Sequence, residues 1–268
     1  MSHNDIFHSL SKKWNLKTYQ NNLAIQRVET QDNKKFWLKV FTTKKECQDA
    51  CSILKHYAGR GSVLLIDYYN NYQLLEDVHP GKKLTKVEGK LSISILIELI
   101  RKLHKTAKED LSLPSIKDWA LGFDRNIASI DTIGKRLFNH GKGIYHDLLQ
   151  EKDSWIPLHG DLHHQNILST TDQPWVAIDP KGVLGPIEYE YGCFLRNPVP
   201  LLLSKKNSKK FIQERLSHIV EQAQLEKEKL CLWAFSQAIL ASLWAIEDNI
   251  PIWRDFLDIA KLYDSSFV

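Results

Sequence analysis

The sequence predicts an α+β fold in which a small antiparallel sheet precedes a larger, mostly helical part holding one embedded strand pair. Three observations predict it. Apolar-polar alternation of period two fills the first third of the chain; helical periodicity takes over after a breaker-rich linker at Glu76–Gly81; and between Trp155 and Ile178 that periodicity gives way to two short apolar segments flanking a polar loop. The 268 residues are 43% hydrophobic and 25% charged, with 12 Gly and 9 Pro, which excludes collagen-like, low-complexity and wholly disordered chains. That length suits about two lobes, divided at the linker into residues 1–77 and 78–268.

From Leu16 to Phe41, alternations broken at Tyr19-Gln20-Asn21-Asn22 and at Gln31-Asp32-Asn33 predict three antiparallel strands, the third being FWLKVF. Lys44–Tyr57 has helical spacing and stops before Ala58-Gly59-Arg60-Gly61. Ser62–Tyr69 and Tyr72–Leu75, parted by Asn70-Asn71, read as a hairpin. Beyond the linker, helices are expected over Leu91–His104, Ile127–Leu137, Lys209–Leu225 and Glu226–Glu247.

Charge and cysteine usage narrow the partners. The balance of 36 Lys+Arg against 32 Asp+Glu gives +4, and the densest basic cluster, Lys205, Lys206, Lys209 and Lys210, has no interleaved aromatics, so a nucleic-acid surface is not expected. Four cysteines without C-x-x-C spacing predict reduced thiols and a cytoplasmic protein, and no basic-then-apolar leader opens the chain. Residues 230–246 form an apolar run at the lower edge of a membrane span; Ser236, Gln237 and Ser242 interrupt it and Glu247-Asp248 follow, which predicts a core helix.

The chemistry concentrates in His159-Gly160-Asp161-Leu162-His163-His164-Gln165-Asn166 and in Asp179-Pro180-Lys181-Gly182. Asp161, Asn166 five residues on, and Asp179 at the end of an apolar segment are the set that phosphoryl transfer requires: a carboxylate to take the acceptor's hydroxyl proton, with an amide oxygen and a second carboxylate to hold Mg²⁺ against a triphosphate. A cation must face the phosphates from across the cleft. Lys39 sits mid-strand in WLKV, an uncommon position for an ammonium group unless an anion receives it.

These residues resemble the aminoglycoside phosphotransferase family, in particular its streptomycin and hydroxyurea phosphotransferase branch, whose fold is protein-kinase-like with a sheet-rich first lobe and a helical second lobe. The resemblance runs through FWLKVF, QLLEDVHPGKKL, LIRKLH, HGDLHHQN, AIDPKG, Leu195-Arg196-Asn197-Pro198 and SQAILASLWAIEDN. It implies ATP and Mg as cofactors. It further implies Asp161 as catalytic base, Asn166 and Asp179 as metal ligands, Lys39 as the phosphate-neutralising lysine, and Glu76, Asp77 and Val78 as the segment whose main chain bonds adenine. His159 and His163 resemble loop-supporting positions, and Glu190 stands where relatives carry an Asp. The loop Tyr19-Gln20-Asn21-Asn22 has no glycine to approach phosphates, and Glu46 or Asp49 is the expected acidic partner of Lys39.

The implied acceptor is a small cationic molecule bearing a hydroxyl, such as streptomycin, and carboxylates should meet it. Glu247 and Asp248, with Asp255 and Asp258 on the next helix, are candidates, and Trp244 and Trp253 could stack on a sugar or guanidinium. Three alternatives stay open: a metabolic kinase for an amino alcohol or sugar, a zinc-dependent hydrolase using His159, Asp161, His163 and His164, and a nucleotide-binding module that turns over slowly.

Overall fold

In the computed structural model, which describes residues 3–17, 24–87, 89–104, 111–151, 154–172 and 174–264, helix α1 (His3–Trp14) precedes strands β1 (Ile25–Glu29) and β2 (Lys35–Val40), helix α2 (Lys44–Tyr57), and strands β3 (Leu65–Tyr69) and β4 (Tyr72–Glu76). The four strands form one antiparallel sheet in the order β1-β2-β4-β3. Its register pairs Leu38 with Leu74, and these two, with Val28, pack under Leu10 and Trp14 of α1. Because side chains alternate across a strand, Trp37 and Lys39 project from the opposite face, where Trp37 joins Leu54 of α2 and Leu75. The pleat therefore directs Lys39 away from α1.

Two strands stand where three were expected. Leu16 makes an isolated bridge to Thr30, and the loop Tyr19–Asn22 lies outside the described residues. Helix α1 was not anticipated: only Leu10 and Trp14 of its second half are buried apolar anchors, too few for a clear periodic signal. Helix α2 spans the expected residues. Thr43 and Glu46 close a capping box at its start, and Ala58 ends it in the left-handed conformation.

The linker proves to be partly strand: β5 (Pro80–Lys83) pairs with a later strand. Helices α3 (Gly89–Leu103), α4 (Ile116–Arg125), α5 (Ile130–Ile133) and α6 (Lys135–Leu148) follow. The single helix expected over Ile127–Leu137 is broken at Gly134, whose φ of 94° no regular helix accommodates. Next come β6 (Ile156–Leu158), β7 (Ile167–Thr170), β8 (Trp175–Ala177) and β9 (Val183–Gly185), arranged as a three-stranded sheet β5-β7-β8 and a pair β6-β9. Helices α7 (Ile187–Leu195), α8 (Val199–Ser204), α9 (Ser208–Ala223), α10 (Lys227–Glu247) and α11 (Trp253–Asp264) complete the chain.

Helix α10 is the axis of the helical part. By length and composition it could cross a membrane, with a mean hydropathy of 1.5, but 78% of that window is buried against other elements. Its all-round apolar character follows from helices packed on every side, and Trp233, Ile239, Leu240 and Leu243 are fully enclosed. Each such side chain contributes about 1.5–3 kcal/mol of hydrophobic stabilisation before entropy is subtracted. The polar interruptions find acceptors inside the core: Gln237 donates from Nε2 to the Tyr189 carbonyl at 2.9 Å, although its Oε1 is buried without a partner among the described residues, and Ser242 donates to the Ala238 carbonyl at 3.0 Å.

Candidate active site

Strand pairing assembles the site. The loop His159–Asn166 joins β6 to β7, and the turn Asp179–Gly182 joins β8 to β9; since β7 pairs with β8 and β6 with β9, the two are held side by side. Cross-links tighten the arrangement. The amides of Lys181 and Gly182 donate to the His159 carbonyl at 2.8 and 3.2 Å, and that of Ile178 donates to the Asn166 carbonyl at 2.9 Å. Gly182 has a φ of 72°, and a Cβ there would stand 2.7 Å from the Asp49 carbonyl oxygen, so the turn can close on α2 only with glycine.

His159 is fully buried. Its Nε2 donates to the Ile178 carbonyl at 2.9 Å and its Nδ1 accepts the Asp161 amide at 3.2 Å, a pairing that only the neutral Nε2–H tautomer can make. Burial pulls its pKa down to about 4 against the opposing pull of Asp161. Glu190, also fully buried on α7, accepts the His159 amide at 2.7 Å on one oxygen and the Gly160 amide at 2.9 Å on the other. Burial pushes its carboxyl up to about 7, although the two amides act in the other direction. The longer Glu side chain spans both donors at once.

Asp161 and Asn166 are in contact. Asn166 donates from Nδ2 to the Asp161 carbonyl at 2.9 Å and to Asp161 Oδ2 at 3.3 Å, which leaves its amide oxygen available to a cation. Around Asp161 Oδ1 stand His163 Nε2 at 3.6 Å, Cys193 Sγ at 3.6 Å and Arg196 Nη2 at 3.9 Å. Burial alone would raise the Asp161 carboxyl; His163, Arg196 and Lys181 outweigh it and hold the group well below the usual carboxylate range. Cys193 and Arg196 were not singled out from the sequence. The Leu195-Arg196-Asn197-Pro198 segment was quoted only as a pattern, and nothing local says that its arginine turns back toward a loop thirty-five residues earlier.

Lys39 forms an ion pair with Asp179, 140 residues away in the chain, across the space between the first sheet and the β8–β9 turn. Asp179 adopts a left-handed φ of 57°, which Asp tolerates better than most residues. Lys181 lies 3.7 Å from the same carboxylate. Burial draws the Lys39 ammonium below its ordinary range, and Asp179 opposes that shift. The expected partners of Lys39 are thus corrected: Asp49 is held by Lys45, and Glu46 is turned back to the Thr43 amide at 3.2 Å to cap α2.

Asn166 and Asp179 suit Mg²⁺, which binds few protein oxygens and completes its shell with phosphates and water. Zinc fits poorly. Among the described residues no group of three His, Cys, Asp or Glu side chains stands where it could hold a metal ion, both ring nitrogens of His159 are engaged, and His164 is buried in a stack on Phe194 at 3.9 Å. The zinc-hydrolase alternative is therefore set aside.

The other expected residues are dispersed. Glu76 donates its amide to the Leu64 carbonyl at 3.1 Å, and the Asp77 carboxylate is tied to β1 through Arg27 Nε at 2.9 Å, with His79 Nε2 at 3.1 Å; Val78 packs near Leu75. Glu247 pairs with Arg125 at 3.2 Å and Asp248 caps the end of α10. Asp258 pairs with Lys261 and Trp253 lies under Arg254, while Trp244 meets Trp119 edge-on at 5.7 Å. Trp119, absent from the sequence-derived candidates, reaches the loop itself: its ring tip would lie 2.8 Å from a Cβ at Gly160.

Comparison with known proteins fits this geometry. A streptomycin 3''-kinase of Klebsiella pneumoniae is 37% identical over 99 residues, 35% of this chain and 36% of that protein, so the match spans about a third of its length. A streptomycin 6-kinase of Streptomyces glaucescens is 24% identical over 226 residues, 81% of this chain and 73% of its own, and a hydroxyurea phosphotransferase of Kitasatospora aureofaciens is 22% identical over 222 residues, 79% and 62%. In fold, the chain is similar to the choline kinase LicA of Streptococcus pneumoniae (TM-score 0.67, 14% identity, 98% of this chain and 100% of that one) and to the amicoumacin kinase hAmiN in complex with AMP-PNP, Ca²⁺ and Ami (TM-score 0.70, 13% identity, 98% and 93%). Residues 18–249 match the aminoglycoside/hydroxyurea antibiotic resistance kinases, and the chain belongs to that family.

Proposed function

We propose that the protein is an ATP- and Mg²⁺-dependent phosphotransferase that moves the γ-phosphoryl group to a hydroxyl of a small molecule, most consistently an aminoglycoside of the streptomycin type, in the cytoplasm. The observation that carries this reading is the Lys39–Asp179 ion pair on a turn that His159 ties to the loop holding the Asp161–Asn166 contact. Asp161 accepts the acceptor's hydroxyl proton as the new oxygen–phosphorus bond forms and the bond to the β-phosphate oxygen breaks. Its engaged Oδ1 and its hydrogen bond to Asn166 hold the carboxylate ionised and oriented. Lys39 would serve the phosphate oxygens, and Asp179 and the Asn166 amide oxygen would hold Mg²⁺, which would supply charge neutralisation for the phosphates. The main chain of Glu76–Val78 lies at the end of β4 and serves adenine.

The test is transfer of labelled phosphate from ATP to streptomycin, with choline as the amino-alcohol comparison. Asp161→Asn should lower kcat by about 10²–10⁴-fold while Mg·AMP-PNP still raises the unfolding temperature. Undiminished transfer by Asp161→Asn rejects the mechanism. Nucleotide stabilisation without transfer to any acceptor favours the slow binding module, and preference for choline favours the metabolic kinase.

A further inference from the structure

We propose that the cavity of about 620 Å³ between the start of α3 and α9 binds the oxyanion group, phosphate or carboxylate, of a small molecule with an apolar body, and that Arg215 is its anchor. None of Asp161, Asn166, Asp179 and Lys39 lines it, and the proposal does not rest on the phosphotransferase reading. Arg215 sits on the inward face of α9 with Ile212, Leu216 and Ile219, and it is only 6% exposed. Its Nη2 donates to the Phe194 carbonyl at 3.1 Å, and its guanidinium lies 4.9 Å from the centre of the Phe194 ring. Nη1 is buried without a hydrogen-bond partner among the described residues. Neither contact carries a full negative charge. Burial draws the guanidinium below its ordinary range, to about 10, and the opposing influence is Tyr263, a phenol that itself donates to the Leu195 carbonyl at 3.0 Å. Buried charges are ordinarily paired, because desolvating a lone ion costs more than its hydrogen bonds return. Arg215 lines the cavity, so an anion seated there supplies the missing counter-charge.

The rest of the wall agrees. Gly89 and Lys90 open α3 upon it, and the amides at that end of the helix have no helical acceptor. The first turn holds no acidic side chain, so the positive end of a 15-residue helix faces the cavity uncompensated. A Cβ at Gly89 would meet nothing within 4 Å, which leaves the helix start open to a ligand. Lys90 is exposed, and Lys210 pairs with Glu214 at 3.9 Å, both of those side chains being mostly solvated. Such a pair is weak enough to exchange for a ligand. Glu221, also exposed, is the second carboxylate of the wall, and His218 is engaged with Gln222 at 2.8 Å. The buried charge is thus positive, and the two carboxylates stay in solvent. Ile93 and Phe211 add apolar surface for the body of the ligand, in a volume that suits a small molecule.

Calorimetric titration of the full chain with phenyl phosphate at fixed ionic strength tests the site, alongside Arg215→Gln, Arg215→Lys, the double variant Lys90→Gln/Lys210→Gln, and Lys39→Met. Arg215→Gln should weaken binding about tenfold or more, with Arg215→Lys between it and wild type. The lysine double variant should weaken it about threefold to tenfold, and because both lysines are exposed it stays folded even where Arg215→Gln does not. Lys39→Met should bind within twofold of wild type, since Lys39 is not part of this cavity. Inorganic phosphate should bind more weakly than phenyl phosphate, for want of an apolar body. Benzoate distinguishes the two anions: tighter binding of benzoate identifies a carboxylate as the group held, and tighter binding of phenyl phosphate identifies a phosphate. Failure of both to bind overturns the site, as does affinity within twofold of wild type in the lysine double variant and in any folded Arg215 variant. Loss of binding in Lys39→Met places the anion at the nucleotide site and equally overturns the proposal. Benzyl alcohol binding as tightly as either anion overturns the ligand class.

Discussion

The imidazole of His159 donates to the carbonyl of Ile178 at 2.9 Å, a side-chain tie that joins the backbone cross-links in fixing the loop holding Asp161 to the strand end that presents Asp179. The same ring accepts the Asp161 amide, so its two nitrogens set the spacing of both candidate carboxylates. His159→Phe keeps the volume but leaves two buried backbone groups without partners, a loss of about 1–3 kcal/mol for each. Urea unfolding should therefore show a destabilisation of about 2–5 kcal/mol, accompanied by a fall in kcat larger than any change in KM for ATP. A variant as stable and active as wild type would show that the two loops need no such tie.

Glu190 makes a comparable connection from the other side. Each carboxylate oxygen takes one loop amide, at His159 and at Gly160. Glu190→Gln replaces one acceptor with a donor facing an N–H, and Glu190→Asp, one methylene shorter, reaches at most one amide without movement of α7. Both should lose about 1–3 kcal/mol of stability. The Asp variant should keep more activity than the Gln variant, because it retains an acceptor of the right charge. Equal stability of all three proteins, measured by denaturant titration, contradicts the role.

Much of this was legible in the sequence because the signals were local. Lys39, Asp161, Asn166 and Asp179 lie in short, strongly patterned segments, and the all-round apolar α10 announced itself as core. What was not legible depends on contacts distant in the chain. Arg196 approaches Asp161 only because α7 runs back beneath the loop, and Trp119 reaches Gly160 only because α4 packs beside β9. The Pro80–Lys83 strand was read as linker because its apolar content is nil and its pairing with β7 satisfies the backbone alone. The partner of Lys39 was sought on α2 by analogy of charge, whereas the pleat of β2 points it at the β8–β9 turn.

The Lys39–Asp179 pair predicts a specific non-additivity. Lys39→Met leaves Asp179 with only the more distant, half-exposed Lys181, and Asp179→Asn leaves a largely buried ammonium without its partner; the Lys39 and Asp179 side chains are 15% and 34% exposed. Removing one partner of such a pair is harsher than removing both. Each single variant should thus be less stable than the double variant, and a double-mutant cycle should give a coupling of at least about 1 kcal/mol. Asp179→Asn should also abolish the magnesium-dependent part of nucleotide stabilisation while leaving some magnesium-independent binding. Strict additivity in the cycle would mean that solvent already screens the pair.

The dependence of stability on pH tests the buried ionisable groups together. Burial lowers His104 and His159 from 6.5 to about 4, so the unfolded chain binds protons there that the folded chain refuses; their contribution is complete above pH 6.5 and is lost as pH falls toward 4. The lone Nε2 of His104 has no hydrogen-bond partner among the described residues, so a proton gained there meets no acceptor. Glu190 acts with the opposite sign. Its carboxyl rises from 4.5 to about 7, so the folded chain holds the extra proton, and stability declines as pH climbs from 4.5 to 7. Burial holds His164 down as well, at about 2, so three histidines act against one glutamate below pH 6.5 and the glutamate alone just above it, and the urea midpoint should peak between about pH 6 and 7. Glu190→Gln removes only the opposing contribution, so its profile should fall more steeply from pH 6.5 to 4.5 and flatten above 6.5. A variant profile parallel to wild type across that range would show that Glu190 ionises as an ordinary surface acid.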